Sequence, residues 1–482
     1  MKKASIVLLV ILTLVSSSCY RMLPPKGGGQ TKNSLRPVSA QDIALPEGYQ
    51  IEPVSMGLTF PSALTFDNEQ HLYVIESGYS YGEVFLEPRL LRLNTNGGFT
   101  EIAKGGKNGP WTGLTFYKGN FYVAEGGVLE GGKILKISPT GKITTIVRDL
   151  PTKGDHHTNG PVIKDGYIYF GQGTATNSSV VGTDNGHFGW LKRHPEFHDI
   201  ACKDVSLTGI NYESDNPLTD DPNDKAQTGA YSPFNSKTTP GQIIKGAIPC
   251  SGSILRVPVD GGPIELVAWG LRNPFGLAVA PSGSIYITEN AYDERGSRPV
   301  WGSGDVLWEI KQGFWYGWPD FSAGKRIQND EEFKAPGKPP VKAILQKYPN
   351  TPPKPAAILG VHSSSNGLDF STNSSFGHTG EAFIAQFGDM APDAGKVLSP
   401  VGFKVVRVNV ANGVIKDFAV NKGHRNGPAS MRRKGGLERP LSVKFNPSGD
   451  ALYIVDFGVM NMTKKGPEPQ AKTGTIWRVT KK

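Results

Sequence analysis

The chain predicts an all-β fold: a six-bladed β-propeller of four-stranded antiparallel blades, its ring closed by a strand from the N-terminal side. Three observations carry that expectation. A small residue, an apolar residue, any residue and another apolar residue precede a turn and an aromatic-rich strand that ends near Glu, Asp or Gly, and this hairpin occurs six times. A second pair of strands follows most copies, giving four strands per unit. The last copy stops after three strands, so a fourth must come from elsewhere if no edge is to be left open. Composition agrees. Sixty glycines and 37 prolines in 482 residues suit many turns between short strands, and 38% hydrophobic content is low for a polytopic membrane bundle.

The first eighteen residues read as an address. Lys2 and Lys3 precede an apolar run from Ile6 to Val15 and then Ser16-Ser17-Ser18-Cys19, the order of a signal peptide over 1–18. Cys19 after small residues resembles a bacterial lipoprotein processing site, which implies acylation there and contact with a membrane only through lipid. The expected location is periplasmic or cell-surface. Residues 19–46, rich in Pro, Gly and Ser, are expected to form a tether.

The propeller is expected over 47–482. Its repeats begin at Ala63, Gly113, Gly160, Gly276, Gly367 and Ser442, with strand partners LYVIESG (72–78), FYVAEGG (121–127), IYFGQG (168–173), IYITEN (285–290), AFIAQFG (382–388) and LYIVDFG (452–458). Alternation and aromatic content make each a strand pair. Tyr49 to Val54 lies just ahead of the first hairpin and is the expected closing strand. Spacing between repeats widens at the third and fourth, and the larger insertion covers about 174–250. Cys202 and Cys250 flank it, and an exported setting permits them to pair.

Connections into the innermost strands of a propeller open at one end of the channel, so residues just ahead of the six small positions should converge. They are Thr59, Trp111, Asp155-His156-His157, Arg272-Asn273, His362-Ser363 and Glu438-Arg439. A histidine near its ordinary pKa of about 6.5 can take a hydroxyl proton, and arginine can stabilise oxyanion character on an acceptor. Oxidation and hydrolysis both remain open on these residues. No Gly-rich nucleotide fingerprint opens a helix and no GxSxG elbow occurs. A formal charge of +9 without a stacking-aromatic motif gives no nucleic-acid partner.

Four stretches resemble the glucose/sorbosone dehydrogenase family, which includes soluble quinoprotein sugar dehydrogenases: 154–173 (GDHHTNGPVIKDGYIYFGQG), 269–290 (WGLRNPFGLAVAPSGSIYITEN), 307–321 (LWEIKQGFWYGWPDF) and 438–458 (ERPLSVKFNPSGDALYIVDFG). The resemblance implies a six-bladed propeller that holds pyrroloquinoline quinone and Ca²⁺ and oxidises a sugar hydroxyl, with electrons leaving to an external acceptor. It implies that His156 is the general base, that Arg272 polarises the quinone with Asn273 beside it, and that Arg439 contacts a cofactor carboxylate. The backbone carbonyls of Ala291 and Tyr292 would bind calcium. Gln172 stands where the family places a carboxylate that orients the base, and Asp155 is the neighbour that could substitute for it. Ala291-Tyr292 replaces the family's Gly-Pro, and its fifth-blade lysine falls near Gln386 to Asp389, with Lys396 close by. Two other readings fit the same fold: a calcium-dependent lactonase or esterase built on Asp155, Asn273 and Asn366, and a cofactor-free carbohydrate-binding propeller.

Overall fold

The computed structural model describes residues 36–81, 83–187, 189–328, 331–390, 399–463 and 466–482. Cys19, the segment 1–18 and Lys396 lie outside the described residues. Six four-stranded antiparallel sheets follow one another along the chain. Their innermost strands are Pro61–Phe66, Trp111–Tyr117, Thr158–Lys164, Asn273–Val279, Ser365–Phe370 and Pro440–Phe445, one for each sequence repeat. We number the blades one to six in that order. Blade six is completed by Tyr49–Leu58, which pairs antiparallel with Gly474–Lys481 from Tyr49↔Lys481 to Leu58↔Gly474. The ring is therefore closed by the N-terminal strand, as the unfinished last repeat requires.

The repeated small residue has a steric cause. A Cβ on Gly113 of blade two would lie 1.5 Å from the carbonyl oxygen of Gly160 in blade three, and one on Gly276 of blade four would lie 2.3 Å from that of Asn366 in blade five. Innermost strands of neighbouring blades touch backbone to backbone around the channel, and glycine is what allows it. The acid ending the second strand of a blade is a latch. Glu76 accepts from the Thr59 amide at 2.7 Å, Glu125 from Asn108 Nδ2 at 2.8 Å and Trp111 Nε1 at 3.1 Å, and Glu289 from the Arg272 amide and Trp308 Nε1. Asp456 takes the Glu438 and Arg439 amides at 2.9 and 2.8 Å. Glu76, Glu289 and Asp456 thereby satisfy backbone donors that the turn into the channel would leave unpaired, whereas Glu125 holds side-chain donors.

Two regions extend the plain ring. Arg36 to Leu45, which composition assigns to the tether, docks on the propeller: Arg36 Nη2 reaches Asp456 Oδ2 at 2.6 Å, and Ile43–Ala44 adds a fifth strand to blade five by pairing with Val420 and Asn421. The insertion between the second and third strands of blade three carries two short helices, Thr183–His187 and Trp190–Arg193, and a hairpin, Asn211–Asp215 with Lys225–Gly229. Cys202 and Cys250 are joined by a disulfide and sit in a buried apolar cluster with Trp269, Trp315, Trp318 and Ile344. That cluster seats the insertion on the long connection of blade four. No helix among the described residues is long and apolar enough to cross a membrane.

Candidate functional site

Strand direction alternates within a blade, so the connections from second to third strand and from each blade to the next emerge at the same end of the ring. A cavity of about 190 Å³ opens there over blades three to five. His156 comes from the connection into blade three, Arg272 and Asn273 from that into blade four, and His362 from that into blade five. Asp293, Glu294 and Arg295 come from the turn after the second strand of blade four, and Trp190 from the insertion; all line the cavity. Tyr79, Tyr81, Met390 and Met462 complete the walls from blades one, five and six.

His156 is 6% exposed. Its Nδ1 lies 2.9 Å from the Thr174 carbonyl oxygen and 3.1 Å from Thr174 Oγ1. A carbonyl can only accept, so Nδ1 carries the proton and Nε2 keeps its lone pair. Burial, then the charges of Arg272 and Arg295, hold the imidazole well below its ordinary pKa, so it stays neutral. Gln172 does not orient it. Its Oε1 accepts from Thr158 Oγ1 at 2.9 Å and its Nε2 donates to the Pro151 and Gly173 carbonyls at 3.1 and 3.3 Å; it lies off the cavity, because the side chain is consumed satisfying strand-end backbone. Asp155 is on the cavity wall but bonds Asn185 Nδ2 at 3.0 Å and pairs with Arg295 Nη1 at 2.7 Å, not with the imidazole. Burial raises it to about 6 against the pull of Arg295.

Arg272 is 3% exposed and lies across the loop that follows blade four's second strand. Nε donates to the Asn177 carbonyl at 3.1 Å, Nη1 to those of Asn290 and Ala291, and Nη2 to Asp293 Oδ2 at 2.8 Å. Asn177, from the insertion, in turn donates to the carbonyls of Asp293 and Arg295 and accepts from the Asp293 amide. The insertion thus fixes the charged loop as well as covering it. Asn273 is held between Asn290 Oδ1 at 3.0 Å and Asn159 Nδ2 at 3.2 Å. Burial opposes the charge of Asp293, but Arg272 and Arg295 outweigh it and keep the carboxyl well below its usual range. Burial also opposes protonation of His362, yet Glu294, 2.8 Å from Nε2, overrides it and lifts the imidazole to about 9.

Convergence is partial. Asp155, His156, Arg272, Asn273 and His362 meet on the cavity; Thr59, Trp111, His157, Ser363, Glu438 and Arg439 do not line it. The expectation for Arg439 is corrected. Its guanidinium donates to the carbonyls of Phe387, Gly388, Asp389 and Met460 over 3.2–3.5 Å and lies between the rings of Phe387 and Phe403, 5.0 Å from each centroid. Four inward carbonyls need donors there, and the arginine is spent on them. At Ala291 the calcium expectation meets the same difficulty, since its carbonyl already accepts from Arg272. Asn366 is also off the cavity, so the carboxylate and amide set of a metal-dependent hydrolase is not assembled. Among the described residues, no three His, Cys, Asp or Glu side chains are grouped to hold a metal ion.

Asp293, Glu294, Arg295, Asn177, Asp184 and Trp190 were not anticipated from sequence. The run Asp293-Glu294-Arg295, directly after the IYITEN strand, was the available signal for the first three. The other three reach the site from the insertion, and spacing holds no trace of that.

Comparison with protein-family models and with curated proteins gives no match. Solved structures share the fold. The PQQ domain of a pyranose dehydrogenase from Coprinopsis cinerea, in its holo form, is 14% identical with a TM-score of 0.56, over 94% of this chain and 100% of that one. A family AA12 carbohydrate-active enzyme from Trichoderma reesei, in a calcium structure, is 16% identical with a TM-score of 0.54 over the same shares. The soluble aldose sugar dehydrogenase of Escherichia coli, in its apo form, is 15% identical with a TM-score of 0.50, over 90% of this chain and 100% of that one. At these identities the likeness is one of fold, and it extends around the whole ring.

Proposed function

We propose that this chain is an oxidoreductase that removes hydride from a hydroxyl-bearing carbon of an aldose or related sugar derivative, with a quinone cofactor in the cavity and His156 as the base. One observation carries the reading: His156 and the Arg272-Asn273 pair, distant in sequence, open on one cavity with the base held in the tautomer that leaves Nε2 unprotonated. The similar structures described as sugar or pyranose dehydrogenases support it.

The donor set fits pyrroloquinoline quinone. Arg272, Arg295 and protonated His362 line the walls as N–H donors for its carboxylates, each also paired with an acid, Asp293 for Arg272, Asp155, Asp184 and Asp293 for Arg295, and Glu294 for His362, and Asn273 adds an amide. When bound, the quinone supplies the electrophilic carbon that accepts hydride. His156 Nε2 takes the hydroxyl proton as the carbon–hydrogen bond breaks. Thr174 holds the ring in place; burial, then Arg272 and Arg295, disfavour the imidazolium that results, and Asp293 offsets them only in part. Tyr79, Tyr81 and Trp190 offer aromatic surface suited to the apolar face of a sugar ring. Electrons would leave to a separate acceptor.

Reconstituting the apoprotein with the quinone should give dye reduction with aldoses or sugar aldehydes; no turnover across a broad panel of both overturns the reading. Export and lipid anchoring belong to the same proposal, and mass spectrometry of the mature N-terminal peptide should find Cys19 acylated.

A further inference from the structure

We infer that Arg295 is the built-in cation of this cavity, standing in place of a divalent metal, and that ligand binding here is independent of calcium. The ligand half of this inference rests on the quinone reading above; the metal half does not.

Two observations lead to it. Asp155 comes from the connection into blade three, Asp184 from the first helix of the insertion and Asp293 from the turn after blade four's second strand, yet all three meet at one guanidinium. Arg295 Nη1 lies 2.7 Å from Asp155 Oδ2 and 2.7 Å from Asp184 Oδ2, and Nε lies 3.0 Å from Asp293 Oδ2. Carboxylates drawn together from distant segments need a cation to offset their repulsion, and although among the described residues the three are not grouped as a metal site in themselves, each is within reach of the guanidinium. Here their centre is filled by a side chain that is 10% exposed. Gly296, at φ +80, lets the chain turn beneath Asp184, whose carboxylate oxygens would lie only 3.0–3.1 Å from a Cβ at that position.

The second observation is the Ala291 carbonyl. Calcium sits about 2.3–2.6 Å from its oxygen ligands, and an ion at that distance from Ala291 would be crowded against the Arg272 guanidinium that the same oxygen accepts from. Arg272 is fixed there by Asp293 and the Asn177 carbonyl, so it has no second position to move to without breaking the network. One arginine covers the Ala291 carbonyl, one of the two expected to bind the metal, and another neutralises the three carboxylates beside it.

The test is thermal unfolding of apoprotein in EDTA and in millimolar calcium, for wild type, Arg295→Gln and Arg295→Lys. Wild type and Arg295→Lys should melt at the same temperature in both buffers. Arg295→Gln, with three carboxylates left facing one another, should melt lower in EDTA and recover several degrees in calcium, because an ion that binds only the folded state raises its stability by mass action. Quinone binding to wild type, followed by tryptophan quenching, should have the same Kd with calcium or with EDTA. A wild-type melting point raised by calcium, or quinone binding tightened roughly tenfold or more by it, overturns the inference and leaves the quinone reading standing. Absence of quinone binding in both buffers overturns the quinone reading, and the melting curves alone then decide the role of Arg295. If Arg295→Gln does not fold, the wild-type and Arg295→Lys curves carry the decision.

Discussion

Arg272 and Arg439 occupy the same place in blades four and six. Each immediately precedes an innermost strand, each gives its backbone amide to the acid ending the second strand, and they are 3% and 2% exposed. Both guanidiniums donate to backbone carbonyls, three for Arg272 and four for Arg439, and they differ in what else they meet. Arg272 pairs with Asp293 and opens on the cavity, whereas Arg439 caps four carbonyls between two phenylalanine rings. Burial lowers Arg439 to about 10. The pair teaches that a repeat places residues in register without assigning them a job. The loop that folds over each position does so: a charged turn clamped by Asn177 beside Arg272, and an aromatic, carbonyl-rich turn over Arg439.

The sharpest contrast comes from removing the proposed base. His156→Ala should lower kcat by about 10²–10⁴-fold with an unchanged circular dichroism spectrum; a variant with normal kcat would remove His156 from the chemistry. Next come the two arginines. Both Arg272→Met and Arg439→Met should lower stability to urea by about 3 kcal/mol, because carbonyls lose their donor, but Arg272→Met should also cost about 10²–10³-fold in kcat while Arg439→Met leaves kcat within a few-fold. If both variants lose activity equally, the distinction drawn between them collapses. Cys202→Ser, which opens a loop of 48 residues, should cost about 2–4 kcal/mol in the same urea assay and loosen the insertion that carries Asn177.

The smallest expected effects are in pH dependence, where His156 and His362 act in opposite directions. His362 is raised to about 9, so its pairing with Glu294 contributes stability that is complete below the ordinary histidine pKa of about 6.5 and is lost as pH rises through about 9. His156 is lowered, so the folded state resists its protonation and loses stability as pH falls below about 6.5. His362→Gln should flatten the alkaline slope of unfolding free energy and leave the acid slope in place. An unchanged alkaline slope would remove His362 from that role.

The ring was legible because its signals are local. Alternating strands, small residues at Gly113 and Gly276 and acids at Glu125, Glu289 and Asp456 recur at fixed offsets, and the structure gives each a steric or hydrogen-bonding reason. His156, Arg272 and Asn273 were legible because they sit at those same offsets. Gln172 sits at the offset of the acids Glu125, Glu289 and Asp456, and Arg439 at that of Arg272. Nothing in their spacing says that Pro151 and Gly173 consume the one, or that Phe387 and Phe403 enclose the other.

By itself, then, the order of residues determined a closed six-bladed ring and which end of it gathers polar side chains, since period-two alternation and turn chemistry act over a few residues. The tertiary structure alone decided which of those side chains share a cavity and what neutralises them. Asn177, Asp184 and Trp190 arrive from an insertion whose path is set by a disulfide and an apolar cluster rather than by the repeat. A charge is assigned its partner by proximity in space, and proximity across blades is a property of the packed ring.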